Sequence, residues 1–183
     1  GAALETGYLY ALNRKYDVVL QMDGDGQHLA SELAVILAPI EKDEADMVIG
    51  SRYRKNRNSA GSSLIRKIGH KLFSLVIFLL TRLRLSDPTS GFQALNRRAL
   101  SLFSRGVFPC DFPDSDVILM AHMSGLRIRE VPVEMLPRSG GTSMHAGLHP
   151  LYYGIKMFLS IFIVLLNFRV WKRIGLVISR EGP

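Results

Sequence analysis

Apolar and polar residues along the first part of the chain form blocks that predict helices and buried strands in turn. Residues 2–14 and 30–40 carry apolar side chains at helical spacing. Residues 17–22 and 45–50 are short, nearly continuous apolar runs, which are typical of strands buried on both faces. An order of helix, strand, helix and strand at this spacing predicts an α/β layer built on a parallel sheet.

Two loops rich in basic residues, Ser and Gly, at residues 51–63 and 138–147, separate the elements expected in the rest of the chain. For the apolar run at residues 72–80 a buried helix is favoured. We divide the chain into a core over residues 1–135 and a second part, residues 136–183, that joins the second loop to an apolar helix. The pattern predicts helices over 64–85, 97–103, 114–124 and 151–171 and a strand over 128–133.

The apolar helix near the end of the chain predicts contact with a membrane surface. Roughly a dozen uncharged residues separate Lys156 from Arg169, whereas a spanning helix needs about 20. We therefore expect this helix to lie at the interface or to insert partly, with Trp171 and its basic neighbours at headgroup level. Packing on the domain, or on a second copy of the chain, is the alternative.

Composition restricts the class of protein further. The chain has 183 residues, which is enough for one domain with a sizeable core. Its hydrophobic share of 48% argues against disorder. The net charge is +7. Positive charge suits nucleic acid, anionic lipid or phosphorylated small molecules. Because the basic clusters flank apolar runs, a membrane surface is favoured over nucleic acid. A single cysteine, Cys110, excludes an internal disulfide and indicates a reducing compartment.

The segment VVLQMDGDGQH, residues 18–28, places two aspartates where a predicted strand ends. Ligands of open parallel sheets bind beyond the carboxyl ends of the strands. A hard divalent cation relieves the repulsion between Asp23 and Asp25, and it takes its other ligands from water and phosphate oxygens. A solvated Asp-Gly turn is the alternative, because this spacing occurs often by chance. The preceding strand, and Gln27 and His28 after it, favour the metal.

Five segments in order resemble family 2 glycosyltransferases of the GT-A fold, most closely the dolichol-phosphate mannosyltransferase-like branch. The resemblance implies a Rossmann-like α/β fold with a mostly parallel sheet flanked by helices, lacking its first strand or strands, and with a C-terminal apolar interfacial helix. Members of this branch begin well before Gly1, so we expect part of the donor site to precede this chain. The segments are VVLQMDGDGQH with the preceding GAALETGY, GSRY at 50–53, the basic helix around Arg66, DPTSGFQALNRRAL at 87–100 and IREVPVEMLPRSGGTSM at 128–144.

The resemblance implies an inverting transferase that moves a sugar from a nucleotide sugar to a polyprenyl phosphate, dolichyl or undecaprenyl, in cell-envelope biogenesis. It implies that Asp23, Asp25 and Gln27 hold Mg²⁺ or Mn²⁺ and, through it, the donor diphosphate. Ser90 and Gly91 would shape the acceptor pocket, and for Gly91 a role in the turn is the favoured alternative. The residues implied to bind phosphate are Arg52, Arg66, Arg138, Ser139 and Ser143.

Two aspartates are candidate catalytic bases. In relatives an aspartate at the position of Asp87 is assigned as base or acceptor positioner, and Asp116 lies near where other branches place their base. For Asp87 a turn-forming role before a proline is the alternative. A phosphate monoester is already largely ionised near neutral pH. A base then matters less than it does for a hydroxyl acceptor, and orienting the acceptor becomes the alternative role.

Other functions stay open at this point. One is transfer to a hydroxyl of a glycolipid or cell-surface polysaccharide. Another is a basic module that binds nucleic acid or anionic lipid without catalysis, and a third is a truncated enzyme that serves as an interaction partner. As partners we expect a nucleotide sugar, a polyprenyl phosphate and the cytoplasmic face of a membrane, with the chain peripheral or partly inserted. We expect no nucleic acid, and self-association stays open.

Overall fold

The computed structural model describes residues 1–55, 64–109, 113–136 and 149–175. Each predicted helix and strand is present within a few residues of its expected bounds, and two described elements, the short helix Arg52–Lys55 and the strand Gln93–Asn96, were not predicted. The strands are β1 (Val18–Gln21), β2 (Met47–Ser51), β3 (Gln93–Asn96) and β4 (Ile128–Pro132). The helices are α1 (Ala2–Asn13), α2 (Leu33–Glu41, after a short 3₁₀ turn at Ala30–Glu32), α3 (Arg52–Lys55), α4 (Leu64–Thr81), α5 (Arg97–Phe103), α6 (Ser115–Met123) and α7 (His149–Arg173).

The described strands form one mixed sheet in the order β1-β3-β2-β4. The parallel pair β2–β4 runs in register from Met47 with Ile128 to Ser51 with Pro132. β1 points the same way as these two strands, because β3 pairs antiparallel with both β1 and β2. Three of the four strands therefore share the direction that the sequence predicts, and β3 runs against them.

The reversed strand decides which segments meet at one edge of the sheet. The chain leaves β1, β2 and β4 at their carboxyl ends, but it enters β3 at the same edge. Residues 22–28, 52–55, 86–92 and 133–136 consequently lie along a single edge. An isolated bridge between His28 and Met135 links two of these segments directly.

Side chains of the sheet alternate between two apolar cores. In β2, Met47 and Ile49 face a large core against α1, α4, α5, α6 and α7. Val48 points the other way, into a smaller core under Ile36 and Ile40 of α2. Because successive residues of a strand face opposite sides, a strand covered on both faces must be apolar throughout, which explains the continuous run at residues 45–50.

Helix α4 corrects one expectation. The apolar run at residues 72–80 was expected to be buried, yet among the described side chains of α4 only one face packs on the protein, with Phe73 at 4% and Ile77 at 0% exposure. Apolar spacing alone does not show which of two apolar faces a neighbouring element will cover. The uncovered face carries Leu72, Leu75, Leu79 and Leu80.

Helix α7 corrects the expected length of the apolar segment, while its place at or in a membrane stays a prediction. Its apolar segment Gly154–Arg173 has 20 residues, and an 18-residue stretch of it has a mean hydropathy of 1.6 with 22% of its residues buried, so it is long and apolar enough to cross a membrane by length and composition only. We expected the uncharged stretch to be too short, but the helix continues through the charged residues at both ends. One face packs on the core through Met157, Ile161 and Val164, while Phe162 and Leu166 on another face are exposed.

Candidate functional site

The acidic turn after β1 is tied to the segment that follows β4. Asp25 Oδ1 accepts a hydrogen bond from the backbone N–H of Gln27 at 3.1 Å, a local bond that stabilises the turn. The Gln27 side-chain amide donates to the carbonyl of Leu136 at 3.0 Å, and the Leu136 N–H donates to the Gln27 carbonyl at 2.8 Å. Gly26 has φ +76°, a left-handed conformation that favours glycine.

His28 orients the first aspartate of the turn. Its Nδ1 accepts a hydrogen bond from the Asp23 N–H at 3.1 Å, and its Nε2 lies 3.8 Å from Asp23 Oδ2. The ring stacks on Phe92, with centroids 4.7 Å apart and an interplanar angle of 15°. Burial lowers the pKa of His28, although the carboxylates of Asp23 and Asp25 oppose that shift. An accepting Nδ1 fits a neutral imidazole with its proton on Nε2.

The segment before β3 lies directly against this turn. A Cβ added to Gly91 would come within 2.6 Å of Asp23 Oδ1, so any larger residue displaces the carboxylate. Ser90, predicted to shape the acceptor pocket, is fully buried. Its hydroxyl accepts from the Phe92 N–H at 3.3 Å, and its N–H donates to the Asp87 carbonyl at 3.2 Å. Ser90 thus holds the turn that presents Gly91.

Arg52 and Asp87 form an ion pair at the same edge. Arg52 Nε donates to Asp87 Oδ2 at 2.8 Å, and the Arg52 backbone N–H donates to the same oxygen at 3.4 Å. The Asp87 side chain is 0% exposed and that of Arg52 is 26% exposed. Burial raises the pKa of Asp87, although the Arg52 guanidinium opposes that shift. Arg52 also interacts electrostatically with Asp23, and Asp87 with His28, so the ion pair and the acidic turn belong to one site.

Glu130 supports the site and was not identified from the sequence. Its Oε1 accepts from the backbone N–H groups of Ser86 at 2.8 Å and Asp87 at 2.7 Å. Its Oε2 accepts from the Ser86 hydroxyl at 2.8 Å and lies 3.3 Å from Arg54 Nε. The Glu130 side chain is only 2% exposed. Glu130 therefore anchors the turn that carries Asp87. The sequence feature that could have identified Glu130 is its carboxylate within the otherwise apolar EVPV strand, because a buried carboxylate needs hydrogen-bond partners.

Asp116 belongs to a different set of contacts. Its Oδ1 accepts from the N–H groups of Asp114 and Val117, both at 2.9 Å. Its Oδ2 accepts a hydrogen bond from the hydroxyl of Ser160 on α7. Burial raises the pKa of Asp116, although the hydrogen bond from Ser160 opposes that shift. The contacts of Asp116 connect α6 to α7, and a role as base stays a prediction.

Four of the predicted phosphate-binding side chains lie outside the described part of the structure. Arg138, Ser139 and Ser143 lie outside the described residues. Arg66 lies on the first turn of α4, and its side chain is outside the described part of the chain. Of the predicted phosphate-binding residues, the described side chains therefore include Arg52 alone.

The carboxylates of the acidic turn could supply only some of the ligands of a divalent cation. Within the described ranges, no group of three or more His, Cys, Asp or Glu side chains could hold a metal ion. The Asp23 side chain is 57% exposed, at the rim where a ligand approaches the sheet. Mg²⁺ and Mn²⁺ suit such a site, because one or two carboxylates are enough when water and substrate phosphates supply the remaining oxygens.

Comparison with known proteins gives a consistent result. Residues 1–103 match the family model described as glycosyl transferase family 2. Over 157 residues the chain is 28% identical to UDP-N-acetylglucosamine–dolichyl-phosphate N-acetylglucosaminyltransferase of Methanococcus voltae, covering 83% of this chain and 62% of the relative. It is 31% identical over 150 residues to undecaprenyl-phosphate mannosyltransferase of Micrococcus luteus, covering 80% of this chain and 60% of the relative. It is 29% identical over 154 residues to polyprenol monophosphomannose synthase of Mycolicibacterium smegmatis, covering 80% of this chain and 56% of the relative. The chain therefore spans less than two thirds of the length of these relatives.

Proposed function

The chain belongs to glycosyl transferase family 2, and on this premise we propose that it transfers a sugar from a nucleotide sugar to a polyprenyl phosphate. The observation that carries the proposal is the contact between the Asp23 carboxylate and Gly91, at the edge where Arg52 pairs with Asp87. Three similar proteins are named for transfer to dolichyl, undecaprenyl or polyprenol phosphates. Their names support this class of acceptor.

Donor binding is assigned to the acidic turn. Asp23, Asp25 and Gln27 would hold Mg²⁺ or Mn²⁺ and, through it, the donor diphosphate, while the Gln27 Nε2 donates to the Leu136 carbonyl. The bound ion supplies Lewis-acid stabilisation of the charge on the departing nucleoside diphosphate. His28 keeps the Asp23 carboxylate directed at the rim. Arg66, Arg138, Ser139 and Ser143 stay the further residues that we expect to bind phosphate.

Arg52 and Asp87 act on the acceptor side. The Arg52 guanidinium carries five N–H donors, and its Nε is already fixed by Asp87. The bond to Asp87 therefore holds the Arg52 guanidinium in one orientation, and its remaining N–H donors suit phosphate oxygens at this edge of the sheet. A phosphate monoester brings its own charged nucleophile, so Asp87 positions it rather than accepting a proton. Direct displacement by this oxygen at the anomeric carbon inverts the configuration.

Membrane contact follows from the acceptor and from α7. A polyprenyl phosphate resides in a bilayer, and α7 offers an apolar segment of sufficient length with Lys172 and Arg173 in its last turn. We place the chain at the cytoplasmic face, where nucleotide sugars are available, with α7 at or in the bilayer.

A second candidate is transfer to a sugar hydroxyl. Its support is the burial of Asp87, which raises the pKa of this carboxyl, as expected for a general base that works near neutral pH. Replacing Asp87 by Asn distinguishes the two. A hydroxyl acceptor requires the base, so activity falls by more than about a hundredfold, whereas a phosphate acceptor loses orientation only.

The proposal is tested by incubating the chain with labelled nucleotide sugars and a short polyprenyl phosphate in detergent, with Mg²⁺, with Mn²⁺ or with EDTA. Labelled lipid that forms only with a divalent ion, and is lost in Asp25→Ala, supports the proposal. Glu41→Ala is the matched control, because Glu41 is an exposed carboxylate at the end of α2. Equal lipid labelling in EDTA contradicts the metal-dependent reaction.

A further inference from the structure

Two serines beside the Arg52–Asp87 pair belong to a chain of hydrogen bonds behind the candidate site. Ser51 precedes Arg52 at the end of β2, and Ser86 precedes Asp87 on the turn before β3. The two hydroxyl oxygens lie 2.7 Å apart. We propose that Ser51 and Ser86 are positioning residues, which hold the Arg52 guanidinium in the orientation that the transfer reaction needs. The part of this inference that concerns transfer rests on the proposed function.

The direction of the chain follows from the chemistry of its last member. A carboxylate only accepts hydrogen bonds, so the Ser86 hydroxyl donates to Glu130 Oε2, at 2.8 Å. Because a hydroxyl has a single proton, Ser86 has none left to donate to Ser51. The Ser51 hydroxyl therefore donates to Ser86, and its own oxygen accepts from the Tyr53 N–H at 3.3 Å. Glu130 thus decides where each proton of the chain lies.

Most of the chain is shielded from water. Ser51 is 0% exposed and the Glu130 side chain is 2% exposed, while Ser86 is half-buried. A buried hydroxyl that loses its partner finds little water to replace it. Hydrogen bonds that follow one another also strengthen each other where the surroundings are weakly polar. The serine side chains are therefore held in one arrangement.

The bond between the two hydroxyl groups sets the distance between the partners of the ion pair. Arg52 Nε and the Arg52 backbone N–H both donate to Asp87 Oδ2, at 2.8 Å and 3.4 Å. Ser51 and Ser86 are the neighbours of these two residues along the chain, so their bond holds the end of β2 against the turn before β3. Without it the two segments move apart, and the guanidinium loses the orientation that Asp87 gives it.

The test follows the Nε–H proton of Arg52 by heteronuclear NMR of the purified chain, without nucleotide sugar, lipid or metal. The bond to Asp87 slows the exchange of this proton with water. In Ser51→Ala the exchange rate should rise about tenfold, which corresponds to the loss of one hydrogen bond. Ser86→Ala should have an effect of similar size and serves as a second variant if Ser51→Ala does not fold. Ser51→Thr keeps the hydroxyl and should exchange like wild type.

Ser124→Ala is the matched control. Ser124 is also 0% exposed, and within the described part of the chain its hydroxyl has no hydrogen-bond partner. This variant should leave the exchange of the Arg52 Nε–H proton unchanged. Equal acceleration in Ser51→Ala and Ser124→Ala would indicate a general loosening of the fold and overturns the inference. Wild-type exchange in both Ser51→Ala and Ser86→Ala overturns it as well.

A double variant tests whether the two serines act as one link. Ser51→Ala combined with Ser86→Ala should exchange no faster than the faster of the single variants, because either change already breaks the same bond. Multiplication of the two effects would mean that the serines act independently, which contradicts the inference.

Kinetics separate a positioning role from a loss of structure. Ser51→Ala should lower kcat/KM for the lipid phosphate at least about tenfold, because a small misplacement of a group that orients the substrate is costly. The KM for the nucleotide sugar should not change, since donor binding is assigned to the acidic turn. An effect confined to that KM would overturn the inference. Faster Arg52 exchange in a chain that transfers no sugar leaves the serines assigned and removes only the proposed reaction.

Discussion

The carboxylate of Asp23 occupies the space in which Gly91 would carry a side chain. A Cβ at Gly91 would lie 2.6 Å and 2.8 Å from the two carboxylate oxygens, far inside van der Waals contact. The Asp23 carboxylate can therefore hold this position only while residue 91 is glycine. This contact links the two parts of the site that are assigned to donor and acceptor.

Gly91→Ala should impair function more than stability. The Asp23 side chain is largely exposed and can rotate away, so we expect less than about 1 kcal/mol of destabilisation, as for other exposed positions. Transfer activity should fall at least about tenfold, and the Mn²⁺ concentration for half-maximal activity should rise. Gly7→Ala is the control, because Gly7 lies in α1 with no atom within 4 Å of an added Cβ. Full activity of Gly91→Ala would show that the position of Asp23 does not matter.

The Arg52–Asp87 pair should respond asymmetrically to mutation. Arg52→Gln leaves a fully buried carboxylate without its cation, which typically costs about 3–5 kcal/mol. Asp87→Asn leaves a guanidinium that is partly exposed and can be hydrated, so about 1–3 kcal/mol is expected. Urea denaturation of both variants measures the difference. The double variant should be more stable than Arg52→Gln alone, and strict additivity would argue against a direct pair.

Glu130 should matter through the turn that it holds. Glu130→Ala removes acceptors for the Ser86 and Asp87 N–H groups and for the Ser86 hydroxyl. At about 1 kcal/mol for each bond, about 2–4 kcal/mol of stability should be lost. Glu130→Gln keeps one carbonyl oxygen and should lose less. Hydrogen exchange should accelerate at the amides of Ser86 and Asp87 in Glu130→Ala, and unchanged exchange there would refute the anchoring role.

Asp46 should contribute to acid sensitivity. Burial raises its pKa, but hydrogen bonds from Arg127 and Asn96 outweigh burial and leave the pKa below its ordinary value. A carboxyl whose pKa is lowered on folding stabilises the fold above its unfolded pKa, about 3.9, and loses that contribution as pH falls through the folded pKa. Between pH 6 and pH 3, the free energy of unfolding should therefore fall more steeply in wild type than in Asp46→Asn. Arg127→Gln should flatten the dependence as well, and parallel curves for all three proteins would contradict the assignment.

Asp116 can be tested as a link between helices. Ser160→Ala removes the hydroxyl that bonds the Asp116 carboxylate and should cost about 1–3 kcal/mol. If Asp116 only fixes α7 against α6, Ser160→Ala and Asp116→Asn should reduce activity to a similar extent. A loss of more than about a hundredfold in Asp116→Asn alone would instead identify a general base.

The larger elements were readable from the sequence because each has a strong pattern. The acidic turn could be placed because an apolar strand ends directly before Asp23. Strand β3 was missed because QALN has four residues and its first three are buried, so it shows no alternation. Glu130 was missed because its role depends on backbone groups 43 and 44 positions away along the chain. Only the folded structure brings such partners together, and the same holds for the exposed face of α4.

The direction of β3 bears on how this edge could be re-engineered. In an all-parallel sheet, only loops that leave strands reach the ligand side. Here a loop that enters a strand reaches it too, so residues 86–92 lie between Glu130 and Asp23. If this segment forms part of the proposed acceptor site, an exchange between related chains that keeps its contacts to Glu130 and Asp23 should alter acceptor preference and leave the parallel pair β2–β4 intact.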